Sequence, residues 1–405
     1  MTYKNRIITA IATGAVLVNA LAPMAFASTI TVSGNGENST SNVNLSTNST
    51  TQVNQNNNAN ITNHVDSNSS TGGNSSNGNT GGNTAITTGN ATSNTNVTNA
   101  ANLNSADLSN CGCNNSGVNV TVSKNGENSQ NGVGIKNTDT VFVNQTNNAN
   151  FNNDVNANAK TGGNDATSNT GGDTTIHTGN ASTNVSVGNA ANANVATVGN
   201  DGNGNAGGSS ITIKGNGENS ENLVGLNQYS AVVANQNNNA HISNDVDAFA
   251  GSGYNSANGN TDSDVTIHTG DASTGVTVDN AANFNSADLN CDCVTNGLDV
   301  NIKHNGEDSL NSVGADTNNV LAPTQYNDQG FKNNVDGNSS TGKNDAVSNT
   351  GGNDDPSVTT GNGSSDNNVN NVGNVNTLGD LGGVTVGTTF DFSGLWTFLH
   401  GFLMV

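Results

Sequence analysis

Aromatic residues make up only 4% of this 405-residue chain and apolar residues 31%. That is too little to build a conventional globular core of this size. Basic residues are scarcer still, nine Lys and Arg against 31 Asp and Glu, for a formal net charge of −22. This balance opposes nucleic acid and anionic lipid, both of which recruit Lys/Arg patches. It favours solubility and cation binding. Beyond the N-terminal segment no apolar run is long enough to span a bilayer. There is no Ser/His/Asp set, no pair of acids outside the repeats and no phosphate-binding glycine loop. No enzymatic activity and no cofactor are therefore expected. With 50 glycines in the chain, a match to any glycine motif carries no weight.

What is present begins with an export signal. Lys4, Asn5 and Arg6 form a short basic region, Ile7–Leu21 is mostly apolar, and Ala25-Phe26-Ala27 offers small residues around a cleavage point. These features read as a secretory signal peptide over residues 1–27, cut after Ala27. The competing reading is a membrane anchor, but the apolar stretch is short and contains Asn19, with Pro23 just beyond it. The expected location is extracellular or on the cell surface.

About a fifth of the residues are Asn, a composition compatible with disorder. The apolar residues, however, recur in register. Asn-Gly-Glu-Asn begins at Asn35, Asn125 and Asn216, and Asn-Gly-Glu-Asp at Asn305, at steps of 90, 91 and 89 residues. A fixed period is the mark of a repeat architecture. It divides the chain into repeats at 28–117, 118–208, 209–297 and 298–385, followed by an apolar segment at 386–405. The fourth repeat is degraded, with Pro323, Gln329 and Pro356 in its strand regions, as suits a capping repeat.

Within each repeat three strand-rich units are expected. The first holds Ile30 and Val32, the Asn-Gly turn, then Val43 and Leu45. The second alternates Val53, Gln55, Asn57, Ala59 and Ile61, with Asn54, Asn56, Asn58 and Asn60 on the opposite face. The third holds Ile86, then Val97, Asn99, Ala101 and Leu103. Period-two alternation places each set on one strand face. If equivalent strands stack, Gln55, Gln145, Gln236 and Gln325 form one amide ladder, and Asn57, Asn147, Asn238 and Asn327 another; such ladders satisfy polar groups that are otherwise costly to bury. The expected fold is an all-β solenoid of strand-turn-strand rungs. Three rungs per repeat would give about twelve rungs, on the order of 55–60 Å long.

The in-register Gln, Asn and Ala of these strands resemble curlin-type repeats, the subunits of bacterial extracellular amyloid fibres. Here the Gln-to-Ala spacing is shorter, the closing Gln is missing and the period is longer. The resemblance implies self-assembly or adhesion at the cell surface, with further copies of the chain as partners.

Four cysteines come as Cys111-Gly112-Cys113 and Cys291-Asp292-Cys293. In an exported chain they favour disulfides: a local ring or a bridge to a neighbouring chain, with a metal or redox role as alternatives. Twelve rungs would hold the two pairs about 30 Å apart, too far to bridge within one chain. Glu37, Glu127, Glu218 and Glu307 lie in register, a polar turn position that could also bind calcium, although no EF-hand loop or calcium-binding nonapeptide array accompanies them. His177 and His268 occupy equivalent, substitutable strand positions. The last sixteen residues hold the only Trp, and Phe392, Leu395, Trp396, Phe398, Leu399 and Phe402 make them a cap, or a docking segment for an envelope component, a lipid surface or the next subunit.

The functional expectation is a secreted or cell-surface structural or adhesive protein, with self-assembly into extracellular fibres as one form of that role. The alternative is a monomeric solenoid that binds a glycan, a polymer or ice through a flat Thr row, Thr88, Thr178, Thr269 and Thr360.

Overall fold

The computed structural model describes residues 15–19, 29–108, 118–199, 209–290, 298–351 and 356–379. These residues form strands and turns with no helix among them. A short strand β1 (Ala15–Asn19) comes first. Repeat one contributes β2 (Thr29–Ser33), β3 (Thr40–Ser70), β4 (Thr84–Thr87) and β5 (Ala91–Leu108). Repeat two contributes β6 (Asn119–Ser123), β7 (Gln130–Lys160), β8 (Thr174–His177) and β9 (Ala181–Gly199). Repeat three contributes β10 (Ser210–Lys214), β11 (Glu221–Gly251), β12 (Thr261–Ser263), β13 (Val265–His268) and β14 (Ala272–Asn290). Repeat four contributes β15 (Asp299–Lys303), β16 (Leu310–Ser340), β17 (Thr350–Gly351), β18 (Ser357–Thr359) and β19 (Gly363–Leu378).

Every pairing is parallel, and apart from β1 with β5 each joins a strand to its equivalent one repeat away. The sheets run β15-β10-β6-β2, β16-β11-β7-β3, β18-β13-β8-β4 and β1-β5-β9-β14-β19, with β12-β17 as a two-stranded addition. The fold is thus all-β, built of parallel strand stacks as a β-solenoid is. One expectation is corrected. A repeat does not supply three stacked rungs; its units lie side by side in one layer, and the layers stack through the period of about 90 residues. Four layers at about 4.8 Å span only some 15–20 Å, not 55–60 Å. The reason lies in β3 and its equivalents. Each is one unbroken 31-residue strand that fuses the second strand of the first unit with the whole second unit, leaving no turn at which to climb to a new rung. The 30 Å separation inferred for the cysteine pairs falls with it, and the cysteines themselves lie outside the described residues.

The core is a seam between sheets. Val143, Phe151, Val155 and Ala157 of β7 alternate inward: Val143 meets Ala196 and Val198 of β9, Phe151 meets Ala191, and Val155 and Ala157 meet Val185 and Val187. Val122 and Ile213 pack on Val133, Ile135, Val224 and Leu226. In the end layer β16 the same inward positions are only half-buried, because nothing covers their outer side. The alternation read for β5 holds up to Ala101 and then breaks. Asn102 takes a left-handed φ of 65°, as do Asn192, Asn283 and Asn374 at 62°, 63° and 59°. Asn tolerates this conformation better than branched residues do. The kink reverses the phase, so that Asn104, Ala106 and Leu108 point inward.

Proline 323 falls within this scheme. Backbone groups of a parallel strand alternate between its two neighbours. Leu310 N–H donates to Ser220 O, and Ser340 O accepts from Ser252 N–H. Even-numbered residues of β16 therefore bond to β11, and odd-numbered ones face out of the stack. The missing N–H of Pro323 lies on the open edge and removes no bond within the chain.

Candidate functional site

The interior is organised by amides. Gln145 Nε2 donates to Gln55 Oε1 at 2.7 Å, Gln236 to Gln145 at 2.9 Å and Gln325 to Gln236 at 2.8 Å. Each Gln also donates across the seam, to the carbonyls of Ser105, Val195, Ser286 and Thr377. The row of Asn57, Asn147, Asn238 and Asn327 bonds mainly across the seam, to Asn104, Asn194, Asn285 and Asn376 at 2.8–2.9 Å. Within that row the bond from Asn147 to Asn238 is 3.1 Å.

Sequence reading missed the most saturated network. Asn63, Asn153, Asn244 and Asn333 of one sheet interlock with Asn99, Asn189, Asn280 and Asn371 of the other. Asn189 Nδ2 donates to Asn244 and Asn280, while its Oδ1 accepts from Asn99 and Asn153. All four hydrogen-bonding positions of that amide are used. The signal was visible as an in-register Asn on each strand, but pairing the two strands requires knowing which faces meet. A gap in another row is equally informative. Asn131 donates to Asn222, and Asn222 to Asn311, yet repeat one has Ser41 opposite Asn131. Asn131 Oδ1 is buried without a partner. Ser41→Asn supplies the missing donor and is expected to raise stability by about 1 kcal/mol, read as a shift in the urea midpoint at constant slope.

The row Thr88, Thr178 and Thr269 is not the exposed face from which binding of a glycan, a polymer or ice was expected. These side chains are buried, and their hydroxyls donate to the carbonyls of Thr161, Ser252 and Thr341. They staple layers together and present no flat face; only Thr360, in the end layer, is exposed. Glu37, Glu127, Glu218 and Glu307 are exposed turn residues, each followed by a residue at φ 52–56°, which explains the Asn or Asp there. His177 and His268 are exposed and stacked, with ring centroids 4.9 Å apart. Among the described residues no three His, Cys, Asp or Glu side chains gather to hold a metal, and no helix is long and apolar enough to cross a membrane. A groove lined by Leu45, Ile135, Leu226 and Ala315, with Lys136 and Asp316 among its polar neighbours, crosses the layers. The aromatic segment from Phe392 to Phe402 lies outside the described residues.

One carboxylate is out of place. Asp139 stands in register with Ser49, Ser230 and, in the end layer, Asn319, and burial raises its pKa from 3.8 to about 6. The folded chain holds this proton to higher pH than the unfolded chain does. Stability contributed by Asp139 is therefore greatest at low pH and falls as pH rises from about 4 to 6. Asp139→Asn is expected to flatten that decline, seen by comparing unfolding midpoints at pH 4.5 and 7.5.

No family model matches the chain, and no curated protein or solved structure does so either.

Proposed function

We propose that this chain is an exported structural or adhesive protein that works at the cell surface or outside the cell. The observation that supports it most is the use made of the interior. The in-register Gln, Asn and Thr side chains are taken up by layer-to-layer and cross-seam bonds, so the polar chemistry of the fold is devoted to cohesion. The acidic, weakly apolar composition suits an exposed, soluble scaffold, and residues 1–27 supply the route out. Residues 386–405 are the candidate attachment to an envelope component.

Fractionating cells that express the full chain tests this reading. The expected result is β-rich protein on the surface or in the medium, shortened by the leader. Removing residues 390–405 should shift it from the envelope fraction to the medium. Retention in the cytoplasm with the leader intact, or a random-coil spectrum from the exported protein, would overturn the proposal.

A further inference from the structure

Both ends of the stack are unfinished, and they are unfinished in complementary ways. In the interlocked Asn network every bond between layers points the same way. Asn63 donates to Asn153, Asn153 to Asn244 and Asn244 to Asn333; Asn99 donates to Asn189, Asn189 to Asn280 and Asn280 to Asn371. The rows starting at Asn35, Asn74, Asn79, Asn102 and Asn104 share this sense. Amide hydrogens of Asn333 and Asn371 are therefore left over at the repeat-four end. Oδ1 of Asn63, a residue only 6% exposed, is left over at the repeat-one end. Donors meeting donors, or acceptors meeting acceptors, would leave those amides unmatched. Only the repeat-four end against the repeat-one end continues the ladders.

The glycines make the same point independently. A Cβ on Gly72, Gly162 or Gly253 would stand 1.8, 1.7 or 1.8 Å from a carbonyl oxygen of the following layer, whereas one on Gly342, in the last layer, meets nothing within 4 Å. Two other rows lean the opposite way. A Cβ on Gly126, Gly217 or Gly306 would come within 2.4–2.5 Å of the preceding layer, and one on Gly179, Gly270 or Gly361 within 2.5–2.6 Å, while Gly36 and Gly89, in the first layer, meet nothing. Within one chain Gly36, Gly89 and Gly342 have no steric reason to be glycine. Each would acquire that reason if another layer lay beyond.

We infer that the repeat-four end of one chain docks on the repeat-one end of a second copy, parallel and in register, so that the stack continues from chain to chain. This rests on the structural reading above and names its partner. The contact is heterologous and does not close on itself, which produces an open filament rather than a ring or a symmetric dimer. Each added chain lengthens the filament by four layers, about 19 Å. Pro323 withholds one edge donor and leaves the rest. In the full-length chain β1 pairs with Leu103–Asp107 of β5 and occupies part of the repeat-one edge. Assembly therefore follows removal of the leader.

The test uses chain expressed at full length and purified after export. Wild type is expected to form filaments with a 4.7–4.8 Å spacing along their axis. Gly342→Ala, with only the repeat-four end blocked, and the double variant Gly36→Ala/Gly89→Ala, with only the repeat-one end blocked, should each stay monomeric at concentrations at least about tenfold above the wild-type threshold. Both should keep the wild-type unfolding midpoint. Mixing the two should give dimers and nothing larger, since one sound end of each remains. Gly188→Ala, which also meets nothing within 4 Å but lies in an inner layer, should polymerise as wild type does. Glycines retained by duplication alone would tolerate alanine throughout, and either end variant polymerising normally overturns the inference. Dimers formed by one end variant alone overturn it as well. A wild-type chain that is exported to the surface yet remains monomeric would defeat the inference and leave the structural reading intact.

Discussion

Replacing Asn189 by leucine is expected to destabilise the fold by about 3–6 kcal/mol. The side chain is 3% exposed and takes part in four amide bonds of 2.7–3.1 Å. Leucine fills similar volume but strands one N–H on each of Asn99 and Asn153 and one acceptor site on each of Asn244 and Asn280. A buried group deprived of its partner costs about 1–3 kcal/mol, and the two stranded donors dominate. Asn189→Asp separates hydrogen bonding from packing. It keeps the shape, removes both donors and buries a charge, so it should be at least as harmful at pH 7 and less so in acid, where the protonated carboxyl regains one donor. Asn144 is the control. It sits in an equally regular row, accepting from Asn235 and donating to Asn54, but in solvent. Asn144→Ala should stay within about 0.5 kcal/mol of wild type. Equal losses at Asn189 and Asn144 in chemical unfolding would show that repetition, rather than burial, is what stabilises these ladders.

The two residues also mark how far the chain could be read before its structure was known. Period-two alternation identified the inward face of β3 down to Gln55 and Asn57, because a strand reports its own two faces directly. The step of about 90 residues was equally plain. What the step meant was not. A period can be climbed in one layer or several, and the choice depends on whether a stretch such as Thr40–Ser70 bends back on itself. Nothing local to that stretch decides this; the in-register pairing of all 31 residues with Gln130–Lys160 does. The Thr row was misassigned for a related reason. Thr88 lies beside a Gly corner, where alternation no longer tells inside from outside, and only its bond to Thr161 O reveals the direction. The left-handed Asn102 likewise looks, in sequence, like one more Asn in an alternating run.

Gly162→Ala should be among the most damaging single-methyl additions the chain can suffer, with an expected loss of about 3 kcal/mol or more. The new Cβ would stand 1.7 Å from Gly253 O and 2.7 Å from both Gly253 C and Ser252 O. All of these are backbone atoms, which cannot rotate away as a side chain can. Relief requires opening the gap between layers. That gap is held by Thr161 N–H to Gly251 O at 2.9 Å and Gly163 N–H to Gly253 O at 3.0 Å, with Thr178 Oγ1 donating to Ser252 O at 3.1 Å beside them. Overpacking alone costs about 1–3 kcal/mol, and each strained or broken bond adds to it. The neighbouring glycine obeys a different rule. Gly73 and Gly163 both have φ of 76°, yet repeats three and four place Tyr254 and Lys343 there at 63° and 56°, with the Lys343 ammonium 5.1 Å from the Tyr254 ring. A left-handed residue in this corner can carry a side chain; the residue before it, glycine in all four repeats, cannot while another layer follows. Gly163→Ala, with nothing within 4 Å of its Cβ, should therefore cost about 1–2 kcal/mol from backbone conformation alone, less than Gly162→Ala in the same urea titration. The reverse order would mean that conformation, not layer spacing, selects glycine at position 162.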